Sequence, residues 1–361
     1  MKVGDLVQVR SKAEILATLD GKGQLEGMPF MPEMLKFCGQ RFKVLKVAHK
    51  ACDTVFPVRM RSVANAIHLD LRCDGQGHGG CQAGCLLYWK EAWLVSVGQS
   101  DGTTTVAMPR RAEKDEAADE LQRRVEAYAS RTEPDGVTAY ACQATQLPDA
   151  STDLRWWDVR QYVRDYTSGN ISARRMLDGA VFASYHSLSE AGIGLGRPLR
   201  WLYGKLSFLW GGSIWPRSKG MLPRGGKTPE AALNLQPGEL VRVKPLQEIL
   251  KTVTVDYKNR GMLWDPEFAP FCGKTYRVLS RVTQILDEKT GRMITMKSPC
   301  IILDSVVCEA RYNGCRTFCP RSIYPYWREI WLERVSESQS GAPAKPQAGA
   351  GSPASAESTV A

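Results

Sequence analysis

The sequence predicts an α+β fold in which two homologous, small, β-barrel-like zinc modules flank a mainly helical central region. Three observations predict this fold class. The two ends of the chain repeat one another at a fixed offset, each repeat carries four cysteines at matching positions, and the residues between the repeats change to helical, cationic and aromatic stretches. Self-similarity at one fixed offset indicates an internal duplication.

The length and composition agree with several domains. The chain has 361 residues, of which 43% are hydrophobic, which is enough for two or three cores. We expect a first zinc module at 1–95, a linker with a charged helix at 96–134, a basic and aromatic helical region at 135–235, a second zinc module at 236–335 and a disordered tail at 336–361. The tail is predicted from its Ser, Ala, Gly and Pro content.

The duplication is visible at an offset of 234 positions, the separation between Gly4 and Gly238. Its matching segments are 4–7 with 238–241, 14–16 with 248–250, 27–28 with 261–262, 32–33 with 266–267, and 37–39 with 271–273. After a short insertion, both modules end on the phrase W-[KR]-E-x-W-L, at 89–94 and 327–332. The two modules are therefore expected to share one fold.

Each module opens with predicted strands. Apolar and polar residues alternate over 5–10 and 239–244, and again over 41–47 and 275–279, a pattern typical of half-buried strands. The G-[DE]-x-V-x-V opening, followed by an F-x-V or Y-x-V strand, resembles small five-stranded barrels of the KOW and Tudor type. That resemblance implies a barrel that binds nucleic acid in some members and proteins in others. The whole chain also resembles bacterial proteins of unknown function. No activity can be assigned from that resemblance.

Eleven cysteines in a chain without a secretion signal favour metal ligation over a disulfide framework. Four thiolates satisfy a tetrahedral zinc ion. The predicted ligands are Cys38, Cys73, Cys81 and Cys85 in the first module, and Cys272, Cys308, Cys315 and Cys319 in the second. Two zinc ions are expected; buried inert thiols and an iron–sulfur cluster are the alternatives. Cys52 is an alternative to Cys38, whereas Cys142 and Cys300 are interpreted as core cysteines.

Three residues of the first module have no counterpart in the second. His49, Cys52 and His78 align with Thr283, Leu286 and Tyr312. His78 is flanked by glycines in the loop between the predicted ligands, so it is either a surface loop histidine or a substitute ligand or proton carrier. If only one module carries chemistry, these are the residues that would carry it.

Two stretches of the central region are candidates for binding an anionic partner. A helix is predicted over 153–166, capped by Asp153, with an apolar face made by Leu154, Trp157, Val159, Tyr162, Val163 and Tyr166. Its arginines, Arg155, Arg160 and Arg164, are either the solvated face of a core helix or an anion-binding stripe.

The second stretch, 190–229, holds seven cations and one anion in a chain whose formal net charge is +10. Its candidate partner-binding residues are Arg197, Arg200, Trp201, Lys205, Trp210, Arg217 and Lys219. Cations interleaved with aromatics suit phosphate contact with base stacking, a membrane interface, or ordinary helix packing.

The sequence predicts a non-catalytic, zinc-stabilised binding or scaffold protein whose anionic partner is preferentially nucleic acid. No phosphate-loop, nucleophile-elbow or H-E-x-x-H motif is present. One alternative is an enzyme or enzyme-accessory protein of a bacterial biosynthetic pathway that uses the metal loop of the first module. Another is a peripheral membrane protein that binds through 197–215. With neither a signal peptide nor a spanning segment, a cytoplasmic location is expected.

Overall fold

The computed structural model describes residues 1–55, 58–97, 111–191, 194, 196–205, 218–312 and 316–335, with the backbone alone at 111–115 and at Gly204. The predicted tail at 336–361, the predicted ligand Cys315 and the candidate partner residues Trp210 and Arg217 lie outside the described residues.

The first module is built on a five-stranded antiparallel sheet that curves into a half-barrel, with strand order β8-β7-β4-β1-β9. Its elements are β1 (Leu6–Val9), α1 (Lys12–Leu16), β2 (Gln24–Leu25), β3 (Met28–Pro29), a 3-10 helix (Pro32–Phe37), β4 (Arg41–Val47), β5 (Lys50–Asp53), β6 (Arg59–Val63), β7 (Ala66–Arg72), β8 (Leu86–Lys90), a 3-10 turn (Glu91–Trp93) and β9 (Leu94–Ser96). Strand β1 buries Val7 and Val9, as its alternation predicts.

The second module has a four-stranded sheet of order β17-β16-β13-β18. Its elements are β13 (Leu240–Val243), α6 (Leu246–Leu250), β14 (Lys258–Asn259), β15 (Met262–Leu263), a 3-10 helix (Pro266–Phe271), β16 (Thr275–Leu286), β17 (Met293–Leu303), a 3-10 turn (Glu329–Trp331) and β18 (Leu332–Arg334). The long β16–β17 hairpin replaces the separate strands that follow β4 in the first module.

The matching sequence segments occupy matching places in the two sheets. Leu6 pairs with Lys43, and Leu240, at the same offset, pairs with Arg277. The cores contain the same aromatic contact: the Phe30 and Trp93 ring centroids are 5.1 Å apart at 89°, and those of Trp264 and Trp331 are 5.1 Å apart at 87°. Edge-to-face pairs of this kind stabilise a core beyond their burial.

The central region contributes helices and short strands that pack on both modules. They are α2 (Arg111–Ala129), β10 (Ser130–Thr132), β11 (Thr138–Tyr140), β12 (Ser151–Asp153), α3 (Arg160–Thr167), α4 (Ala173–Glu190) and α5 (Gly196–Lys205). Strand β12 pairs with β6 of the first module. The structure is therefore a mixed α/β fold with half-barrel sheets, which confirms the predicted class at that level.

Two sequence expectations for the central region differ from the structure. Helix α2, predicted as a charged linker helix, is part of the first module's core, because it buries Leu121 and Val125 there. The helix predicted from Asp153 begins only at Arg160, because Asp153 belongs to β12. Among the described residues, none of the helices combines the length and apolar character needed to cross a membrane.

Candidate metal centre and partner-binding surface

A glycine-rich loop brings the cysteines of the first module together. The N–H of Cys73 donates to the carbonyl of Cys85 at 2.9 Å, which closes the loop between them. Gly75 has φ of +72°, and a Cβ there would overlap the backbone of Cys81. Glycine is therefore required for the loop to fold back on itself.

Glu33, Cys73 and His78 form a candidate metal-binding group whose potential ligand atoms all lie within 4.8 Å of one another. Glu33 Oε1 is 2.6 Å from His78 Nδ1 and accepts a hydrogen bond from the Gly77 N–H at 3.0 Å. Glu33 and His78 are buried, so the histidine is not on the surface of its loop. A carboxylate bound to one imidazole nitrogen is a common way to fix the tautomer of a metal ligand.

Four thiols and His78 line one small cavity beside this group. The thiols are those of Cys73, Cys81, Cys85 and Cys142, and the cavity has a volume of about 40 Å³. That volume admits a cation or one or two waters, but not an organic substrate. Cys142 follows β11 and was not expected here.

Burial raises the pKa of two thiols of this cavity. Burial raises the pKa of Cys85 to about 12, and the nearby sulfurs of Cys142 and Cys81 raise it further against the charge of Arg321. Burial also raises the pKa of Cys73 far above its ordinary value, with Glu33, Cys85 and Cys142 acting in the same direction. Because the thiolates repel one another in a buried site, a bound cation would stabilise their deprotonated form.

The structure does not place Cys38 or Cys272 beside other described thiols. Both follow the 3-10 helix of their module and pack against its core. Burial raises the pKa of Cys38 to about 11 and that of Cys272 to about 12, with no neighbouring thiol contributing among the described residues. The two cysteines therefore occupy equivalent places beside the cores of their modules.

A second thiol cluster combines residues of both modules. Cys308 and Cys319 of the second module lie with Cys52 of the first in one buried cluster. The backbone N–H of Cys52 donates to Cys319 Sγ at 3.1 Å. Burial acts to raise the pKa of Cys319, but hydrogen bonds from the Cys52 thiol and from the N–H groups of Arg321 and Cys52 lower it to about 6. Cys52 and Cys319 therefore interact directly across the two modules.

His49 belongs to a different environment from the thiols. Its Nε2 lies 3.2 Å from Asp165 Oδ1, and Lys50 Nζ lies 2.6 Å from Asp165 Oδ2. All three side chains are buried. Burial lowers the pKa of Lys50, and the charge of Asp165 opposes that effect. Asp165 is on α3, so this ionic cluster fixes α3 to the first module.

In helix α3 and the turn before it, polar side chains are buried and several apolar side chains are exposed, which is the opposite of the prediction. Gln161 and Asp165 are the buried residues of α3, whereas Val163 and Tyr166 are exposed. Trp156 and Trp157 are 69% and 56% exposed. The prediction of a buried apolar face is wrong here, because the bonds to His49 and Lys50 turn the polar side of α3 inward.

The three predicted arginines lie on this exposed surface, and each makes different contacts. Arg155 stacks over Trp157, with the guanidinium carbon 5.1 Å from the ring centroid. Arg160 is bound to Asp158 at 2.7 Å. For Arg164 no ion pair is found within the described residues, and its side chain is exposed. Arg155 and Arg164 are thus the arginines available to an anionic partner.

The described part of the second cationic stretch is also at the surface. Arg197, Arg200, Trp201 and Lys205 are exposed residues of α5, and Lys219 is exposed before the second module. Lys205 Nζ lies 5.8 Å from the Trp201 ring centroid. Arg200 is paired with Glu190 at 2.5 Å.

Sequence reasoning missed Glu33 and Cys142. The signal for Glu33 was present, since Pro32-Glu33 recurs as Pro266-Glu267. Glu267 accepts hydrogen bonds from the N–H groups of Arg311 and Tyr312 at 2.7 and 2.5 Å, so each glutamate holds the cysteine loop of its own module. Cys142 gave no such signal, because it lies outside the repeat.

No protein-family model matches the chain, and no curated protein or solved structure shows significant similarity to it.

Proposed function

We propose that the protein is a zinc-stabilised, non-catalytic binding protein whose exposed tryptophan–arginine surface binds single-stranded nucleic acid. That surface consists of Arg155, Trp156, Trp157, Val163, Arg164 and Tyr166. The observation that carries the proposal is the inverted burial of this segment, which exposes two adjacent tryptophans while Gln161 and Asp165 are buried.

The geometry of the tryptophan–arginine surface suits unpaired bases. The Trp156 and Trp157 rings are 5.8 Å apart and nearly perpendicular, at 88°, so they offer two differently oriented faces. Stacking of a base on an aromatic side chain contributes about 1–3 kcal/mol per base. Arg155 and Arg164 add positive charge beside these rings, and the +10 charge of the whole chain favours approach of a polyanion.

The binding test compares the full-length protein with the variant Trp156→Ala/Trp157→Ala on a single-stranded oligonucleotide, measured by fluorescence anisotropy. We expect a loss of affinity of at least tenfold, since two stacking contacts are removed. Tyr128→Ala, at another exposed aromatic on α2, is the matched control and should bind as the parent does. Equal affinity of the double variant and the parent would contradict the proposal.

The same assay, repeated at several salt concentrations, measures how the oligonucleotide affinity depends on salt. With two available arginines and a slope of about −0.7 per phosphate contact for single strands, affinity should fall about sevenfold between roughly 50 and 200 mM salt. Binding that is absent, or that does not change with salt, would exclude nucleic acid. Flotation with anionic liposomes that depends on Trp201, without oligonucleotide binding, would instead support the membrane alternative.

We further propose that zinc occupies the cavity of the first module and a corresponding site in the second, about two ions per chain. For the first site the proposed ligands are Cys73, Cys81, Cys85 and Cys142, with the Glu33–His78 pair beside them. Zinc binds four thiolates tetrahedrally, so the site would stabilise the fold rather than hold an open catalytic position. The iron–sulfur alternative needs the same ligand type.

The ligand assignment is tested by metal analysis of full-length variants. Cys142→Ser should lower the zinc content by about one ion per chain, because it removes a cavity thiol. Cys38→Ser is the matched control and should retain the full content. Loss of zinc from Cys38→Ser but not from Cys142→Ser would restore the ligand set predicted from sequence, and iron in the parent protein would replace zinc in the proposal.

We also propose that the two modules arose by internal duplication. The support is the equivalent strand register, the equivalent aromatic pair and one equivalent polar contact. Trp93 Nε1 donates to Thr18 Oγ1 at 3.1 Å, and Trp331 Nε1 donates to Thr252 Oγ1 at 2.9 Å. Homologues that contain a single module would test this origin, and their fold should match either half.

A second candidate function is an enzyme or accessory protein, and one observation favours it. Glu33 also borders an open, polar cleft of about 390 Å³, lined with Lys36, Asp74 and Glu126. Its Oε2 is buried without a hydrogen-bond partner among the described residues. A cleft of this size accommodates a small molecule.

The cleft is tested by thermal-shift screening with small polar compounds. A ligand whose stabilisation is lost in Asp74→Asn, and retained in the exposed control Asp70→Asn, would support this second function. A screen that yields no such ligand would contradict it.

A further inference from the structure

We infer that Cys52 of the first module is a ligand of the zinc site of the second module, so that this metal ion joins the two modules covalently through its coordination shell. The inference deepens the proposed function and rests on its second zinc ion. It replaces Cys272 with Cys52 in the ligand set and assigns Cys52, Cys308 and Cys319 to one site.

The three cysteines lie together in one buried cluster. Cys52, Cys308 and Cys319 are 2%, 8% and 5% exposed and share one cluster with Met60 and Ala310. Cys52 is on β5, and the other two cysteines follow β17 in the second module. The N–H of Cys52 already donates to Cys319 Sγ at 3.1 Å. N–H donors to metal-bound sulfur are typical of thiolate sites, because they stabilise the anion.

Three cationic side chains lie near this cluster. Arg316 and Arg321 near this cluster have carboxylate partners in Asp265 and Glu288. Lys46 is half-buried, and its Nζ bonds to Ser322 Oγ at 3.0 Å with no carboxylate in ion-pair distance among the described residues. A zinc–polythiolate centre would place negative charge beside this ammonium.

Cys272 lies in a different environment from the three clustered cysteines. Its Sγ lies 3.8 Å from the carbonyl of Phe268 and packs against the apolar core of the second module. No described thiol lies near enough to shift its pKa. Cys272 therefore has the environment of a buried core cysteine rather than that of a ligand.

The contact between the two modules is reciprocal. Leu286, which aligns with Cys52, donates its backbone N–H to Cys81 Sγ of the first module at 3.3 Å. Each module thus places the same aligned residue against a cysteine of the other. Leucine has no ligand atom, so the first site needs its remaining thiol from elsewhere, and Cys142 lies there. Cys52 and Cys142 are not among the cysteines that recur in both modules. The inference assigns Cys52 to the second site and Cys142 to the first.

The experiment uses full-length protein purified anaerobically with reductant and zinc, with the metal measured by inductively coupled plasma mass spectrometry. Cys52→Ser should lose about one zinc per chain, and Cys272→Ser, the matched control, should lose none. The double variant Cys52→Ser/Cys142→Ser should lose about two. Cobalt substitution should show a weaker sulfur-to-cobalt charge-transfer band in Cys52→Ser, because fewer thiolates bind the metal.

Cys52→His keeps a metal ligand at this position, so the test does not depend on whether Cys52→Ser folds. It should retain the metal with an altered cobalt spectrum. Full zinc content and an unchanged cobalt spectrum in Cys52→Ser would overturn the inference while leaving a two-zinc protein intact. Oligonucleotide affinity is measured separately, so its failure is distinguishable from either outcome.

Discussion

Single buried residues decide how this protein responds to its conditions, and His68 shows this most directly. Its ring lies in the first module, with Nδ1 2.9 Å from the carbonyl of Leu87 and the ring centroid 4.4 Å from that of Tyr88. Burial lowers the pKa of His68 to about 3, and the nearby cations Lys46, Arg321 and Arg72 act in the same direction. The imidazole is therefore neutral in the folded protein.

Acid should weaken the fold through His68. The unfolded histidine binds a proton near pH 6.5, whereas the folded one does so only near pH 3, so the contribution is fully present above about 6.5 and is lost as pH falls. Between pH 7 and pH 4 the free energy of unfolding should drop by about 3 kcal/mol on this account. Urea unfolding as a function of pH measures it.

His68→Asn retains a donor for the Leu87 carbonyl and removes the titration, so its stability should depend less on pH over this range. Because metal loss in acid affects both proteins, the difference between their pH slopes is the informative quantity. Parallel slopes would show that His68 does not contribute.

Residue identity also explains what sequence reasoning reached at the candidate site and what it did not. Cys73, Cys81 and Cys85 were predicted because they recur in the repeat, and all three line the cavity. Cys142 was not, because its approach depends on how β11 packs, which no local pattern encodes. Cys38 recurs as well but does not line this cavity, and a repeated cysteine beside a core gives the same sequence signal as a repeated ligand.

At the scale of the element, tertiary contacts override the amphipathic pattern of α3. Periodicity assigned its apolar side to the core, but the buried Lys50 requires Asp165, and this ion pair sets the rotation of the helix. Breaking a buried pair costs several kcal/mol, more than the burial of one valine returns. The strands β1, β4, β13 and β16 were predictable because one face of each lies on a core.

Helix α4 provides an element-scale prediction at Gly179. Alanine there would gain about 1 kcal/mol of helix propensity. The added Cβ would, however, lie 2.7 Å from Cε1 of the buried Phe318, and overpacking costs about 1–3 kcal/mol. We expect Gly179→Ala to destabilise the protein by up to about 2 kcal/mol in thermal or urea unfolding.

The matching control for Gly179 removes the overlapping ring. In a Phe318→Leu background, Gly179→Ala should be neutral or stabilising, because only the propensity gain remains. A stabilising effect of Gly179→Ala in the parent protein would show that Phe318 moves aside easily.

On the scale of the whole molecule, the two modules and the central region depend on one another. Glu288 of the second module bonds to Thr54 at 2.5 Å, and Arg321 Nη1 donates to the Cys52 carbonyl at 2.8 Å. Leu121 and Val125 of α2 complete the core of the first module. The duplication visible in the sequence predicted two similar halves, but side-chain contacts between segments so distant in sequence were beyond any periodicity argument.

A fragment of residues 1–97 should therefore fail to behave as an independent domain. It lacks α2 and Cys142, so we expect an incomplete core and less than one bound zinc per chain. Far-UV circular dichroism, hydrogen exchange and metal analysis test this expectation, with the full chain as reference. A fragment that is cooperative on heating and holds a full zinc ion would contradict it.

The reciprocal placement of Cys52 and Leu286 has a consequence for ancestry. An ancestor with one module could have made the same contact only between two copies of the chain. Such a pair would be a symmetric homodimer in which each subunit contributed a thiol to the site of the other. Joining two copies in one gene ends the symmetry requirement, because each half can then mutate alone. If the proposed duplication and ligand assignments both hold, leucine at 286 marks the half that lost its ligand, and Cys142 supplies the thiol that the first site would otherwise lack.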